Sequence, residues 1–165
     1  MKGNIVHELN CRTVSWVSPD WLAAHIGNPS FTLVDCRQDG RAYIHEHIPH
    51  AIYVHEGLLR VHIGRSPVQW ISVEGAQVLF STLGIEEDSP VVVYSDCPSQ
   101  RSSGAAMGDG LEQAFLAYTL ARFGCRKVML LDGGLTNGVR GTSLSLLNRG
   151  SHGPLPVQLT CKSIF

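Results

Sequence analysis

The sequence predicts an α/β protein built on a parallel sheet, and three observations carry that expectation. Compact apolar runs stand at residues 31–34, 91–94 and 128–131, and each ends on a polar residue: Asp35, Ser95 and Asp132. Segments with helical spacing of apolar residues separate these runs, the βαβ rhythm of a sheet covered on both faces. The runs are uninterrupted, as strands buried on both sides are. A chain of 165 residues holds one core of the usual domain size, about 100–150 residues, so one domain with a linker or tail is expected.

Residues 14–17 read as a short strand. Ser18, Pro19 and Asp20 then supply an N-cap, a proline at the first helical position and an acidic first turn, so a helix runs to about His25. Gly27, Asn28 and Pro29 break it before the strand that ends at Asp35. A short helix over 41–46, a brief strand at 51–54 and an irregular polar stretch through Arg65 follow. Ser72 caps another helix carrying Val73, Ala76, Val78, Leu79 and Leu83, and Gly84 stops it. The β-branched run at 91–94 is expected to be a central strand. Residues 95–110 hold three glycines, a proline, four serines and two aspartates, the composition of a loop. A helix resumes over 111–123, with Leu111, Phe115, Ala117, Tyr118 and Ala121 as its apolar stripe, and ends at Gly124.

Composition excludes several classes of function. Apolar residues make up 44% of the chain and the formal net charge is −1, which leaves no basic footprint for general nucleic-acid binding. No apolar run approaches the roughly 20 residues that span a bilayer, and the first ten residues lack the apolar core of an export signal, so neither membrane nor secretion is expected. A cytoplasmic location follows as an expectation. Cys11, Cys36, Cys97, Cys125 and Cys161 are odd in number and form no C-x-x-C pair, which suits separate thiols better than a disulfide framework or zinc site. Cys36 and Cys125 read as small buried hydrophobes. His45, His47, His50, His55 and His62 crowd one region; the spacing of His45, Glu46 and His47 points them to different faces, so no metal site is expected.

In parallel sheets, chemistry gathers at the carboxyl ends of strands. Residues 35–37, 95–101 and 132–134 are therefore expected to converge. After residue 133 the chain has no acidic residue and three basic ones, Arg140, Arg149 and Lys162, and its Ser, Gly, Leu and Pro content fits a linker or partly ordered tail.

Taken in order, Val17-Ser18-Pro19-Asp20-Trp21-Leu22, Val34-Asp35-Cys36-Arg37, Ala42-Tyr43, His47-Ile48-Pro49, Pro67-Val68-Gln69-Trp70, Pro90-Val91-Val92-Val93-Tyr94, Arg122-Phe123-Gly124 and Leu130-Leu131-Asp132-Gly133-Gly134-Leu135 resemble the rhodanese (sulfurtransferase) family. The likeness is to the amino-terminal half of the two-domain thiosulfate and mercaptopyruvate sulfurtransferases. It implies a rhodanese-like three-layer domain over 14–138, with a five-stranded parallel sheet flanked by helices, and leaves 139–165 as linker or tail. It also implies sulfur transfer from a small donor through a cysteine persulfide to a thiophilic acceptor such as cyanide, with no cofactor. In two-domain relatives a second rhodanese domain supplies the nucleophile, so such a domain is a possible partner.

Three departures from the family pattern stand out. Its G-H-I-P-G-A appears as Glu46-His47-Ile48-Pro49-His50-Ala51, and strain follows wherever a replaced glycine needs positive φ. The tryptophan after D-G-G is replaced around Asn137 and Gly138. The cysteine that opens the family's C-x-x-x-x-R loop is Ser95 here. Cys97, two residues on and followed by Arg101, is then the candidate sulfur carrier, in a loop with Ser95, Asp96 and Ser99 as substrate-binding positions. Backbone N–H groups and a nearby arginine favour a thiolate in such a loop, whereas Pro98 removes one N–H. Cys97 as carrier and Cys97 as ordinary loop thiol both stand, the second with the whole domain catalytically inactive and structural or partner-binding. Ser95 and Arg101 match the C-x5-R length of cysteine phosphatases, but serine does not replace that thiolate. Asp35 and Arg37 support the site, as a strand-end clamp or a substrate contact.

Overall fold

The computed structural model describes residues 13–27, 30–62, 64–65, 67–96, 111–135 and 148–149. Five strands form one parallel sheet: β1 (Thr13–Val17), β2 (Thr32–Asp35), β4 (Ile52–Tyr53), β7 (Val91–Tyr94) and β8 (Lys127–Leu131), in the order β1-β8-β7-β2-β4. The predicted α/β class and parallel sheet are present. All four residues of β7 are fully buried, as expected of the central strand, and each valine contributes about 1.5–3 kcal/mol by leaving water.

Helices cover both faces. On one, α3 (Val73–Thr82) and α4 (Leu111–Arg122) pack Ala76, Phe80, Leu116, Ala117 and Leu120 on Val34, Val91, Val93, Val128 and Leu130. On the other, α1 (Pro19–His25) and the segment after α2 (Gly40–His45) bring Leu22, Ile48 and Ala51 onto Leu33, Val92, Tyr94 and Leu131. The two lists alternate along β2, β7 and β8, as the period-2 geometry of strands requires.

Local chemistry sets the helix limits. Ser18 accepts from Trp21 N at 3.2 Å and Ser72 from Gly75 N at 3.1 Å, so both expected N-caps form, each adding about 1 kcal/mol. After α3, Gly84 adopts φ +70° and Ile85 N donates to Phe80 O at 2.8 Å. That 6→1 closure needs a left-handed residue, which glycine supplies without a Cβ clash.

The helical faces differ from those predicted. On α4, Leu111 and Tyr118 are exposed, while Glu112, Gln113, Leu116, Thr119 and Leu120 are buried. On α3, Val73 and Val78 are exposed and Phe80 is buried. The predicted stripes hold in part: Ala76, Leu79 and Leu83 of α3 and Ala117 and Ala121 of α4 pack in the core, while on α4 polar residues also face inward at the sheet end. The stretch before Arg65, expected to be irregular, forms a 3-10 turn (Glu56–Leu59), and β5 (Arg60–Val61) pairs antiparallel with β6 (Gln69–Trp70). Two short strands, β3 (Glu46–His47) and β9 (Asn148–Arg149), also pair antiparallel. The helix predicted over 41–46 ends at His45, where β3 begins.

Of the two replaced glycines, only one carries strain. His50 sits at φ +66°, a region that costs a non-glycine residue about 1–3 kcal/mol. Glu46, at φ −156°, is extended backbone. Asn137 and Gly138 lie outside the described residues.

Candidate functional site

Strand order fixes where a site can form. From β2 the chain crosses through α2 to β4 on one side, and from β7 it crosses through α4 to β8 on the other. Connections that leave adjacent strands in opposite directions open a crevice at their carboxyl ends, the usual ligand position in open α/β sheets. Here those ends carry residues 35–37 and 94–96.

The β2 exit is a buried ion pair. Asp35 is fully buried and Arg37 is 5% exposed. Arg37 Nε donates to both Asp35 carboxylate oxygens at 3.0 Å, Nη2 donates to Oδ2 at 2.7 Å, and the Arg37 backbone N–H adds a bond to Oδ1 at 3.0 Å. Nη2 also donates to Glu46 O at 2.6 Å, and Tyr53 OH donates to Arg37 O at 2.9 Å. Burial opposes the charge on Arg37, but the bonds and charge of Asp35 outweigh it and hold its pKa up. These bonds are those of a strand-end clamp, and among the described residues the guanidinium also reaches toward the loop through Nη1, 3.8 Å from Asp96 Oδ1.

The β7 exit is tied to the same clamp. Tyr94 OH bonds Asp35 and accepts from Ile48 N at 3.1 Å. Burial first, then the charge of Asp35, pushes the Tyr94 phenol far up, so it stays a neutral donor. Ser95 is 1% exposed, and its carbonyl accepts from Leu135 N at 2.9 Å, which brings the D-G-G segment to the same edge. Its hydroxyl donates to Asp96 O at 3.4 Å. Ser95 thus belongs to the floor of the site, and Asp96 is the first residue to emerge from it.

Asp35, Arg37, Ser95 and Asp96 are brought together as expected. Cys97, Ser99 and Arg101 lie outside the described residues. The nearest described thiol is unsuited to nucleophilic work: Cys36 is 4% exposed, and its Sγ donates to Tyr94 O at 3.2 Å. Burial, then the charges of Asp35 and Glu112, push that thiol up, away from the thiolate. Cys125 is buried as well.

Sequence reasoning missed Gln113. Buried in the first turn of α4, its Nε2 donates to Val93 O and Leu131 O, both at 3.0 Å, and so closes the ends of β7 and β8 beside the crevice. Its spacing from Leu116, Ala117 and Leu120 was the available signal. Two of the crowded histidines hold backbone: His47 Nδ1 donates to Tyr43 O at 2.8 Å, with its ring stacked on Tyr43, and His55 Nδ1 accepts from Gly57 N at 3.0 Å. Among the described residues no three His, Cys, Asp or Glu side chains are grouped to hold a metal, and no helix is long and apolar enough to cross a membrane.

Comparison with known proteins agrees with this architecture. Residues 18–140 match the family model of the rhodanese-like domain. A Synechococcus elongatus protein named as a thiosulfate sulfurtransferase is 33% identical over 122 residues, covering 74% of this chain and 35% of the relative. The 3-mercaptopyruvate sulfurtransferase of Escherichia coli is 28% identical over 137 residues, covering 78% and 45%. A crystal structure of the 3-mercaptopyruvate sulfotransferase from Escherichia coli superposes with a TM-score of 0.66 at 29% identity, covering 84% of this chain and 52% of that one. The chain thus spans between about a third and a half of the length of these relatives. By the match of its sequence over 18–140 and by its five-stranded parallel sheet, the chain belongs to the rhodanese-like family.

Proposed function

We propose that this chain is a rhodanese-type sulfurtransferase unit that moves sulfane sulfur from a small donor such as thiosulfate to a thiophilic acceptor such as cyanide. The observation that carries the proposal is the topological switch point of the sheet. The exits of β2 and β7 meet at the switch point, and the buried Asp35–Arg37 pair holds the start of the loop that bears Cys97.

In this mechanism the Cys97 thiolate attacks the outer sulfur of thiosulfate. The sulfur–sulfur bond of the donor breaks, sulfite leaves with the electron pair, and Cys97 becomes a persulfide. Cyanide then takes the outer sulfur as thiocyanate and the thiolate returns. Ser95, Asp96, Ser99 and Arg101 line the loop as substrate-binding positions, with Asp35 and Arg37 as positioning residues beneath it. The cycle balances without a metal or organic cofactor. The catalytic unit in this proposal is residues 14–138, with 139–165 as linker or tail, a second rhodanese domain as its partner, and the cytoplasm as its location.

The test is thiocyanate production by the full chain with thiosulfate and cyanide. Turnover that is lost in Cys97→Ser and kept in Cys161→Ser supports the proposal. No thiocyanate from the unaltered chain, folded and reduced, overturns it and leaves a catalytically inactive domain with a structural or partner-binding role.

A further inference from the structure

At the opposite end of the sheet from the crevice, the described residues leave part of one face uncovered. Helix α1 has seven residues, about 10 Å at 1.5 Å per residue, and it does not reach across the amino-terminal ends of β1 and β8. The result is a groove of about 380 Å³, within the size range of small-ligand sites. Strand alternation places Ser15, Lys127 and Met129 on its floor, because Val128 and Leu130 point to the other face. Trp21 and Phe31 form its wall, with ring centroids 5.8 Å apart.

His25 continues that wall and also lines the groove. The His25 ring stacks on Trp21 at 4.3 Å, and its Nδ1 donates to Trp21 O at 2.7 Å. Trp21, Phe31 and Met129 are all half-buried, so each still offers apolar surface to the groove. Among the described residues that line the groove, Lys127 is the one Lys, Arg, Asp or Glu. Arg126 bonds both nearby carboxylates, Glu87 and Asp88, at 2.8 Å each. Lys127, the next residue, is exposed and has no ion-pair partner among the described residues.

We infer that this groove is a binding site for a small planar aromatic carboxylate, stacked on Trp21 and Phe31 with its anionic end at Lys127. Two aromatic faces and a thioether suit a flat apolar ring. A single lysine, with no carboxylate among the described lining residues, selects an anion over a cation of the same shape. The site is separate from the proposed sulfur-transfer crevice and does not depend on Cys97.

The experiment is a titration of the full chain with naphthoate, followed by amide NMR and calorimetry. The expected result is saturable binding, with shifts confined to residues 15, 21, 25, 31 and 127–129. Lys127→Gln, a change at an exposed position, should weaken binding about tenfold, the scale of one charge-assisted contact. Naphthylmethylammonium should bind at least about tenfold more weakly for the same reason. The inference is overturned by any of three results: no saturable shift up to millimolar naphthoate, shifts centred on residues 35–37 and 94–96, or equal affinity for the two probes. A groove already filled by the chain's own residues gives the first of these.

Discussion

Replacing Arg37 by methionine tests the buried clamp beneath the proposed active loop. The guanidinium makes three side-chain bonds to Asp35 and one to Glu46 O. Asp35 is fully buried, so Arg37→Met strands a carboxylate with no water to solvate it and leaves the Glu46 carbonyl without that donor. Removing one partner of a buried pair costs about 3–5 kcal/mol. In the double variant Asp35→Asn/Arg37→Met the stranded charge is gone. The amide oxygen at position 35 still accepts from the backbone N–H of residue 37 and from Tyr94, so about 2 kcal/mol or more of the loss should return. Urea unfolding of the unaltered chain, the single variant and the double variant, with equal slopes as the check on comparability, gives both numbers. A cost below about 1 kcal/mol for Arg37→Met, or a double variant no more stable than the single, refutes the claim that the pair is a mutually dependent buried clamp.

Other expectations follow from the same geometry. His50→Gly should stabilise the fold by about 0.5–1 kcal/mol, the relief of the left-handed strain less the entropy of glycine, whereas Glu46→Gly should give no gain; urea midpoints of the two variants decide this. Gln113→Leu should cost about 2–4 kcal/mol because it leaves two strand-end carbonyls without their donor, and it should raise amide exchange at the carboxyl ends of β7 and β8. Stability should fall in alkali. The Cys36 thiol ionises at about pH 8.5 in the unfolded chain, but burial and the charges of Asp35 and Glu112 push it up in the fold, so the folded state keeps the proton that the unfolded state loses. Stability is then full below about pH 8.5 and declines above it by up to about 1.4 kcal/mol per pH unit. Cys36→Ala should flatten that decline in urea midpoints taken from about pH 8 to about pH 10.

The parts of the fold legible in the sequence are those fixed by strong local chemistry. The fully buried β7 follows from three adjacent valines before Tyr94, and α1 and α3 begin where Ser18 and Ser72 cap them. The two-residue strands β5, β6 and β9 were not legible, because so short a segment has no period to read and is held by its partner alone. Helix α4 shows the same limit: Tyr118 is apolar enough for a core and lies outside, while Gln113 is polar and lies inside, since the open strand ends need its amide. At the site, Asp35 and Arg37 were legible as a pair. That Tyr94, Tyr53 and the Glu46 carbonyl complete the clamp depends on contacts between residues distant in sequence.

The proposed function rests on one atom, the sulfur of Cys97. The direct measurement is the mass of the peptide bearing Cys97 after the full reduced chain is incubated with thiosulfate without acceptor. The proposal predicts one added sulfur atom on that peptide, removed as thiocyanate when cyanide is supplied. A Cys97 peptide of unchanged mass, from protein that is folded and whose thiols are reduced, contradicts it.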